Sequence, residues 1–257
     1  MNIRLHQYLS RTGSFGSKND VIGSIRGGRV KVANKVIINP EFIFDASKSR
    51  VYVDGAPIRQ VKKRICIIIN KPEGYLSSRL ASNDIRLGKR SVFGLIERDA
   101  SLSPEEVKSL FCVGRLDEDT SGLLVLTNDG KLGSRLTDPD EGIEKTYIAG
   151  LQRPISESET KLLERGVKIG LEENGKIEKY VTKGCLISFP SSDQKHIQLI
   201  ITEGKKREIR RMIEAVGNEV VALTRVGIGS LNLSDLKLEK GKYVFADDRM
   251  IGLMVER

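Results

Sequence analysis

The sequence predicts an α+β protein in two parts, and three observations carry that prediction. Within the first 58 residues, two short amphipathic helix patterns precede a set of basic hairpin strands. Farther on, Ile65-Cys66-Ile67-Ile68-Ile69 and Leu123-Leu124-Val125-Leu126 are unbroken apolar runs of strand length. Between residues 197 and 216 a strand pattern passes through Gly204 into an amphipathic helix. At 257 residues the chain can bury a full core in one or two domains. The expected division is 1–58, a polar basic linker at 59–64, and a larger domain at 65–257.

Taken in order, Leu5, Tyr8 and Leu9 repeat at i, i+3, i+4, which marks a short helix ended by Gly13. Ser17 and Asp20 form a Ser-x-x-Asp capping pattern before Val21, Ile22 and Ile25, and Gly27-Gly28 stops that second helix. Arg29-Val30-Lys31-Val32 alternates as a strand, turns at Ala33-Asn34-Lys35 and continues through Val36 to Ile38. Arg50 to Val53 is a further strand, closed by Asp54-Gly55. Gln60 to Arg64 reads as a hinge. The buried strand from Ile65 to Asn70 then enters the turn-rich Lys71-Pro72-Glu73-Gly74-Tyr75. Residues 76–112 are mixed, and the polar stretch 97–105 reads as a surface insertion. Lys145-Thr146-Tyr147-Ile148-Ala149 alternates, so Lys145, Tyr147 and Ala149 share one face of a strand.

Composition narrows the function. Lys and Arg number 43 against 34 Asp and Glu, a net charge of +9, which favours an anionic partner through counterion release. Aromatic residues are 5% with no Trp, which argues against binding built on stacked single-stranded bases and makes any Tyr in a site stand out. Cys66, Cys112 and Cys185 are isolated, and His6 and His196 are the only histidines, so no zinc site or disulfide framework is expected. The longest apolar run is far short of the roughly 20 residues that span a bilayer. Arg4, His6 and Gln7 stand where a signal peptide needs an apolar stretch. A cytoplasmic location is the expectation.

The segment Gly-Arg-Leu-Asp-Glu-Asp-Thr-Ser-Gly-Leu-Leu-Val-Leu-Thr-Asn-Asp-Gly at 114–130 is the most informative in the chain. Its apolar strand can hold a carboxylate of the preceding loop, Asp117, at one position. Asp117, Asp119, Ser121 and Gly122 match positions 1, 3, 5 and 6 of a calcium loop, but the twelfth position is Asn128 and a strand replaces the exiting helix. A bland alternative is an acidic turn satisfied by its own amides. In Glu203-Gly204-Lys205-Lys206-Arg207-Glu208-Ile209-Arg210-Arg211-Met212-Ile213, the residues Ile209, Met212, Ile213 and Val216 form the buried stripe. Arg207 and Arg211 point away from it, and Arg210 lies on its flank, where it could pair with a carboxylate.

These residues resemble the bacterial ribosomal-RNA pseudouridine synthases of the RsuA type. The chain carries their Gly-Arg-Leu-Asp-x-x-Thr-x-Gly-Leu-Leu at 114–124, Asn-Lys-Pro-x-Gly at 70–74, Lys-x-Tyr at 145–147 and Glu-Gly-Lys-x-Arg-x-x-Arg-Arg-Met at 203–212. Residues 223–245 add a further stretch of close likeness. The first 58 residues resemble the S-four-type RNA-binding domain, or alpha-L motif. They depart from it at Asn34-Lys35, at Arg4-Leu5-His6-Gln7 and at Ser17-Lys18-Asn19-Asp20.

The resemblance implies a catalytic domain around a mostly antiparallel sheet flanked by helices. It implies an isomerase that detaches uracil from C1′ and rejoins it through C5, with no cofactor and no metal. Asp117 would be the nucleophile, Tyr147 would stack on the base, and Arg210 would be the ion-pair partner of Asp117. RNA contacts would come from Arg115, Lys205, Lys206, Arg207 and Arg211, and from Arg4, Arg29 and Lys31 in the N-terminal part. The expected partner is RNA, foremost ribosomal RNA, bound by a monomer with no membrane. Whether Asp117 attacks C1′, adds to C6 or removes the 2′ proton stays open at this point. A rival class is a non-catalytic RNA-binding or ribosome-assembly factor on the same scaffold. Loss of Asp117, Tyr147 or Arg210 would favour it, and all three are present.

Overall fold

The computed structural model describes residues 2–15, 18–59, 63–173 and 175–256. The expected cap at Ser17 and the hinge residues Gln60, Val61 and Lys62 lie outside them. Two compact units emerge. One comprises the residues up to Ile65 with Ser78–Phe111 and Thr127–Asp129. The other comprises Cys66–Ser77, Cys112–Leu126 and the residues from Gly130 on.

In the first unit, β1 (Asn2–Arg4) leads into α1 (Leu5–Ser10) and α2 (Lys18–Arg26). There follow β2 (Val30–Val32), β3 (Lys35–Val36), β4 (Ile43–Asp45), β5 (Val51–Val53) and β6 (Ala56–Ile58). β1 pairs antiparallel with β4, and the other strands form a sheet in the order β3-β2-β5-β6. Leu5, Tyr8, Leu9, Val21 and Ile25 from the helices meet Val30, Val32, Phe44, Val51 and Val53 in one core. The helix patterns and the strands at 30–32 and 51–53 therefore bury the faces they predict, whereas the strand expected to run on to Ile38 stops at Val36 and leaves Val36 and Ile38 exposed. The hairpin turn sits one residue earlier than its sequence suggests. Val32 pairs with Lys35, and the two central residues are Ala33 (φ 46°) and Asn34 (φ 68°). Both occupy the left-handed region that a primed turn demands, at a cost of roughly 1 kcal/mol for the alanine.

The same unit holds α3 (Ser82–Arg86), a 3-10 turn at Val92–Leu95 and α4 (Pro104–Ser109). The stretch 97–105 lies at the surface as expected, exposed at seven of its nine positions. It is flanked or interrupted by buried Ile96 and Leu102, and it ends in a capping box in which Ser103 and Glu106 exchange hydrogen bonds.

The second unit is built on a large sheet, nine-stranded among the described residues, in the order β15-β16-β12-β17-β11-β7-β19. Its strands are β7 (Cys66–Lys71), β11 (Ser121–Thr127), β12 (Lys145–Leu151), β15 (Leu186–Ser188), β16 (His196–Ile201), β17 (Val220–Ile228) and β19 (Tyr243–Phe245). Two short strands join off this path: β10 (Phe111–Val113) on β11, and β18 (Leu231–Asn232) on β17. The short strands β8 (Tyr75–Leu76) and β9 (Arg90–Ser91) and the hairpin β13–β14 (Lys168–Glu173, Lys176–Val181) stand outside this sheet. β15·β16, β16·β12, β12·β17, β17·β18 and β7·β19 are antiparallel, and β11 runs parallel to β17. On one face Ile68, Leu123 and Val125 pack against α5 (Gly130–Thr137), α8 (Leu233–Leu236) and α9 (Asp248–Val255) through Leu136, Leu236, Met250 and Met254. Two further helices are α6 (Glu157–Arg165) and α7 (Glu208–Ala215).

The parallel contact between β11 and β17 depends on Gly122. Its φ is +106°, and a Cβ there would stand 2.2 Å from the Arg225 carbonyl oxygen. Gly122→Ala is expected to cost roughly 2–4 kcal/mol of stability, from a disallowed backbone and a clash that no rotamer relieves. Urea unfolding of the intact chain measures it, and an unchanged midpoint would show that the strands tolerate separation here.

Candidate active site

The loop between β10 and β11 is built from its backbone outward. Lys71 ends β7, whose apolar run carries it wholly out of solvent. Proline at 72 holds the preceding residue extended, so the strand does not turn until Lys71 has passed under the loop. Its Nζ donates to the carbonyls of Pro72 (3.1 Å), Glu118 (3.3 Å) and Thr120 (2.6 Å). Arg225, 1% exposed in the middle of β17, donates from Nε to the Leu123 carbonyl and from Nη2 to the Gly114 carbonyl. Ser77 Oγ donates to the Leu116 carbonyl and accepts from the Leu116 N–H. The Gly74 N–H reaches the Glu118 carbonyl at 2.8 Å, and the Thr120 N–H closes a turn on the Asp117 carbonyl.

From α7, Arg210 donates to the Asp119 carbonyl at 2.9 Å and to the Val220 carbonyl at 2.8 Å. Its Nη2 also lies 3.3 Å from the Asp119 carboxylate, which Arg207 grips with both terminal nitrogens at 3.3 and 3.1 Å. The ion pair expected between Arg210 and Asp117 is therefore made with Asp119 instead. Both acids sit two apart in one turn, and the arginine takes the one whose carbonyl it also reaches. Among the described residues, the Asp117 carboxylate has no hydrogen bond and no ion pair. Asp117 is partly exposed, so its carboxylate is open to solvent. Burial pushes the Lys71 ammonium down to about 8, and the nearby carboxylates of Asp119, Glu73, Asp117 and Glu118 oppose the shift.

Tyr147 reaches this region through strand register. Gly122 pairs with Arg225, Arg225 with Tyr147, and Tyr147 with Leu199. Two interstrand spacings separate Gly122 from Tyr147, about 10 Å. A bulge between Thr146 and Tyr147 puts Tyr147 on the same face as Arg225. Tyr147 is 8% exposed, and its hydroxyl has no partner among the described residues.

A sequence model of the family described as RNA pseudouridylate synthase matches residues 65–215. An RNA pseudouridine synthase of Bacillus subtilis is 36% identical, over 94% of this chain and 93% of that protein. The chain belongs to the RNA pseudouridine synthase family. Ribosomal small subunit pseudouridine synthase A of Escherichia coli is 31% identical over 94% of this chain and 95% of its own length. A crystal structure of a pseudouridylate synthase superposes with a TM-score of 0.66 at 26% identity, covering 98% of this chain and 99% of that one. Family membership makes the protein an RNA uridine isomerase, which disposes of the non-catalytic alternative.

The synthase holds its other expected site residues in varied settings. Arg115 is exposed beside Asp117. Lys206 pairs with Glu172 at 3.7 Å, and the Lys205 ammonium lies 4.9 Å above the Tyr180 ring. Arg211 lines a cavity of about 540 Å³ under the β13–β14 hairpin, which shares no lining residue with the Asp117 loop. Arg4 is paired with Glu41 and Arg29 with Asp54, so part of the N-terminal basic charge is internally neutralised, whereas Lys31 is exposed. Lys71 and Arg225 are site residues that sequence reasoning passed over. The signal for Lys71 was present in Asn-Lys-Pro-x-Gly, since a lysine directly before proline at the end of an apolar strand has little freedom to leave it.

Lys71→Met keeps the stem but removes three carbonyl ligands from the loop. Turnover is expected to fall about 10²-fold, the scale of a misplacement near 1 Å, with RNA affinity changed far less. Single-turnover kinetics beside filter binding would test this, and a Met variant of normal turnover would show that Lys71 does not position the loop.

Proposed function

We propose that this synthase isomerises a uridine of ribosomal RNA, with Asp117 as the nucleophile. The observation that carries the reading is the contrast within one loop. Nearly every peptide from Gly114 to Thr120 is tied to a neighbour, while Asp117, alone of the loop's three acids, has no hydrogen-bond or ion-pair partner among the described residues. A rigid loop that withholds partners from one ionised group presents it to substrate. The N1–C1′ bond breaks, the ring turns, C5 bonds to C1′, and the C5 proton leaves to solvent.

Tyr147 stacks on the flipped uracil, and its unpartnered hydroxyl is free to meet the base. Arg210 serves catalysis by fixing the loop through Asp119. Arg115, Lys205, Lys206, Arg207 and Arg211 follow the RNA backbone. The N-terminal helix-and-hairpin unit, with Arg4, Arg29 and Lys31, adds affinity in the manner of an S-four-type domain. The protein works in the cytoplasm as a monomer, without metal or cofactor. Likeness to the small subunit enzyme of Escherichia coli over nearly its whole length supports ribosomal RNA as the substrate class.

Asp117→Asn preserves side-chain shape and removes charge, so RNA binding should persist while turnover falls below detection. Arg210→Ala should cost about 10²–10³-fold, as for loss of one positioned electrostatic partner. Release of tritium from ribosomal RNA carrying 5-tritiated uridine reads both. Clear turnover by the Asn variant would overturn the assignment of Asp117, and turnover confined to transfer RNA would overturn the assignment of substrate.

A further inference from the structure

Beneath the first turn of α7 lie two carboxyl groups that the proposed chemistry does not use. Glu203, at the end of the β16 segment, and Glu208, the first residue of α7, are each 4% exposed. Both Glu203 oxygens have donors: the Lys183 N–H at 2.6 Å and the Tyr180 hydroxyl at 2.5 Å. Glu208 is different. Its Oε2 accepts from the Lys205 N–H at 2.8 Å, but its Oε1 is buried with no donor, and the group it faces is the Glu203 carboxyl. Neither acid has an ion-pair partner within 4 Å among the described residues. The Lys205 ammonium lies over the Tyr180 ring, and Lys145 on β12 donates to the Ile143 carbonyl. Lys183 and the buried Cys185 thiol complete the surrounding titratable groups.

Two ionised carboxylates facing each other out of water would cost several kcal/mol. One proton between them satisfies the orphan oxygen and removes the repulsion. We propose that Glu208 is a neutral carboxylic acid donating its proton to the Glu203 carboxylate, and that this shared proton positions α7 so that Arg207 and Arg210 grip the Asp119 loop. The positioning half rests on the reading of residues 114–120 as the catalytic loop. The titrating half does not.

The geometry around the pair explains the reach of the effect. Arg207 precedes Glu208 in the strained left-handed region (φ 54°), and no side chain caps α7 through it. The Glu208 carboxyl instead hooks back to the Lys205 N–H and across to Glu203, closing the 203–208 segment into one fixed turn. Arg207 and Arg210 leave that turn one residue before and two residues after Glu208 and meet Asp119. Burial first, and the contact with Glu203 second, push Glu208 up to about 8. Burial also acts to raise Glu203, but the donors Glu208, Tyr180 and the Lys183 N–H outweigh it and hold Glu203 low.

A raised acid contributes stability below its ordinary value near 4.5 that is lost as pH rises through the folded value near 8. Wild-type protein should therefore lose stability from about pH 5 up to about pH 8, and lose turnover as the folded acid ionises between about pH 7 and pH 9. Glu208→Gln keeps a neutral N–H donor at every pH. It should stay within about threefold of wild type at pH 7 and lack the alkaline loss, whereas Glu208→Ala should lower kcat at least about tenfold with KM little changed. The direct test is carbon-13 NMR of the intact protein labelled at glutamate side-chain carboxyls. One carboxyl should titrate near pH 8 and vanish from the spectrum of Glu208→Gln. A Glu208 signal that titrates in the ordinary carboxylate range overturns the shared proton, whatever the role of Asp117. A high-titrating Glu208 whose Ala variant turns over normally overturns the positioning role, and a Gln variant as impaired as Ala does the same.

Discussion

Lys71, Arg210 and Arg225 each direct hydrogen bonds at backbone carbonyls of one seven-residue loop and its exit, and the remaining site geometry follows from that constraint. A carbonyl is a fixed ligand. It cannot rotate away as a carboxylate can, so a cation bonded to it fixes the chain itself. Gly114, Glu118, Asp119 and Thr120 are all held in this way. The cations in turn are held by burial in β7 and β17 and by the packed face of α7.

The sheet supplies the stiffness that makes such anchoring worthwhile. β17 lies between β11 and β12, and Arg225 at its middle pairs with Gly122 on one side and Tyr147 on the other. One residue thus ties the loop, its strand and the strand of the stacking tyrosine into a single row. The absence of a side chain at Gly122 lets the strands approach closely enough for that row to exist. A fully desolvated arginine is costly alone, and Arg225 offsets the cost through carbonyl partners on both sides of the loop.

Much of this architecture was legible in the residues. The runs at 65–70 and 121–127 read as buried strands because nothing polar interrupts them, and the helix at 208–215 shows its stripe at i, i+3, i+4. The side on which Lys145, Tyr147 and Ala149 agree was also readable from alternation. Burial of cations was not. Lys71 at a strand end and Arg225 within Val-Val-Ala-Leu-Thr-Arg-Val-Gly-Ile look like exits to solvent, because nothing local reveals that another segment's carbonyls will cover them. Nor could sequence decide between Asp117 and Asp119 as the arginine's partner, since two acids two apart differ only in which carbonyl comes within reach. Ala33 at positive φ escaped for the opposite reason, as register overrode a local preference for asparagine and lysine in the turn.

The central claim is that the loop is fully formed before RNA arrives, with Asp117 as its one acid free of protein partners among the described residues. A crystal structure of Asp117→Asn bound to a uridine-containing RNA tests this most directly. The account predicts that Lys71, Arg210 and Arg225 keep the same carbonyl partners, and that the Asn side chain lies within about 4 Å of the target nucleotide at C1′, C6 or the 2′ carbon. A loop rebuilt around the RNA, or a target uridine seated away from residue 117, would contradict it.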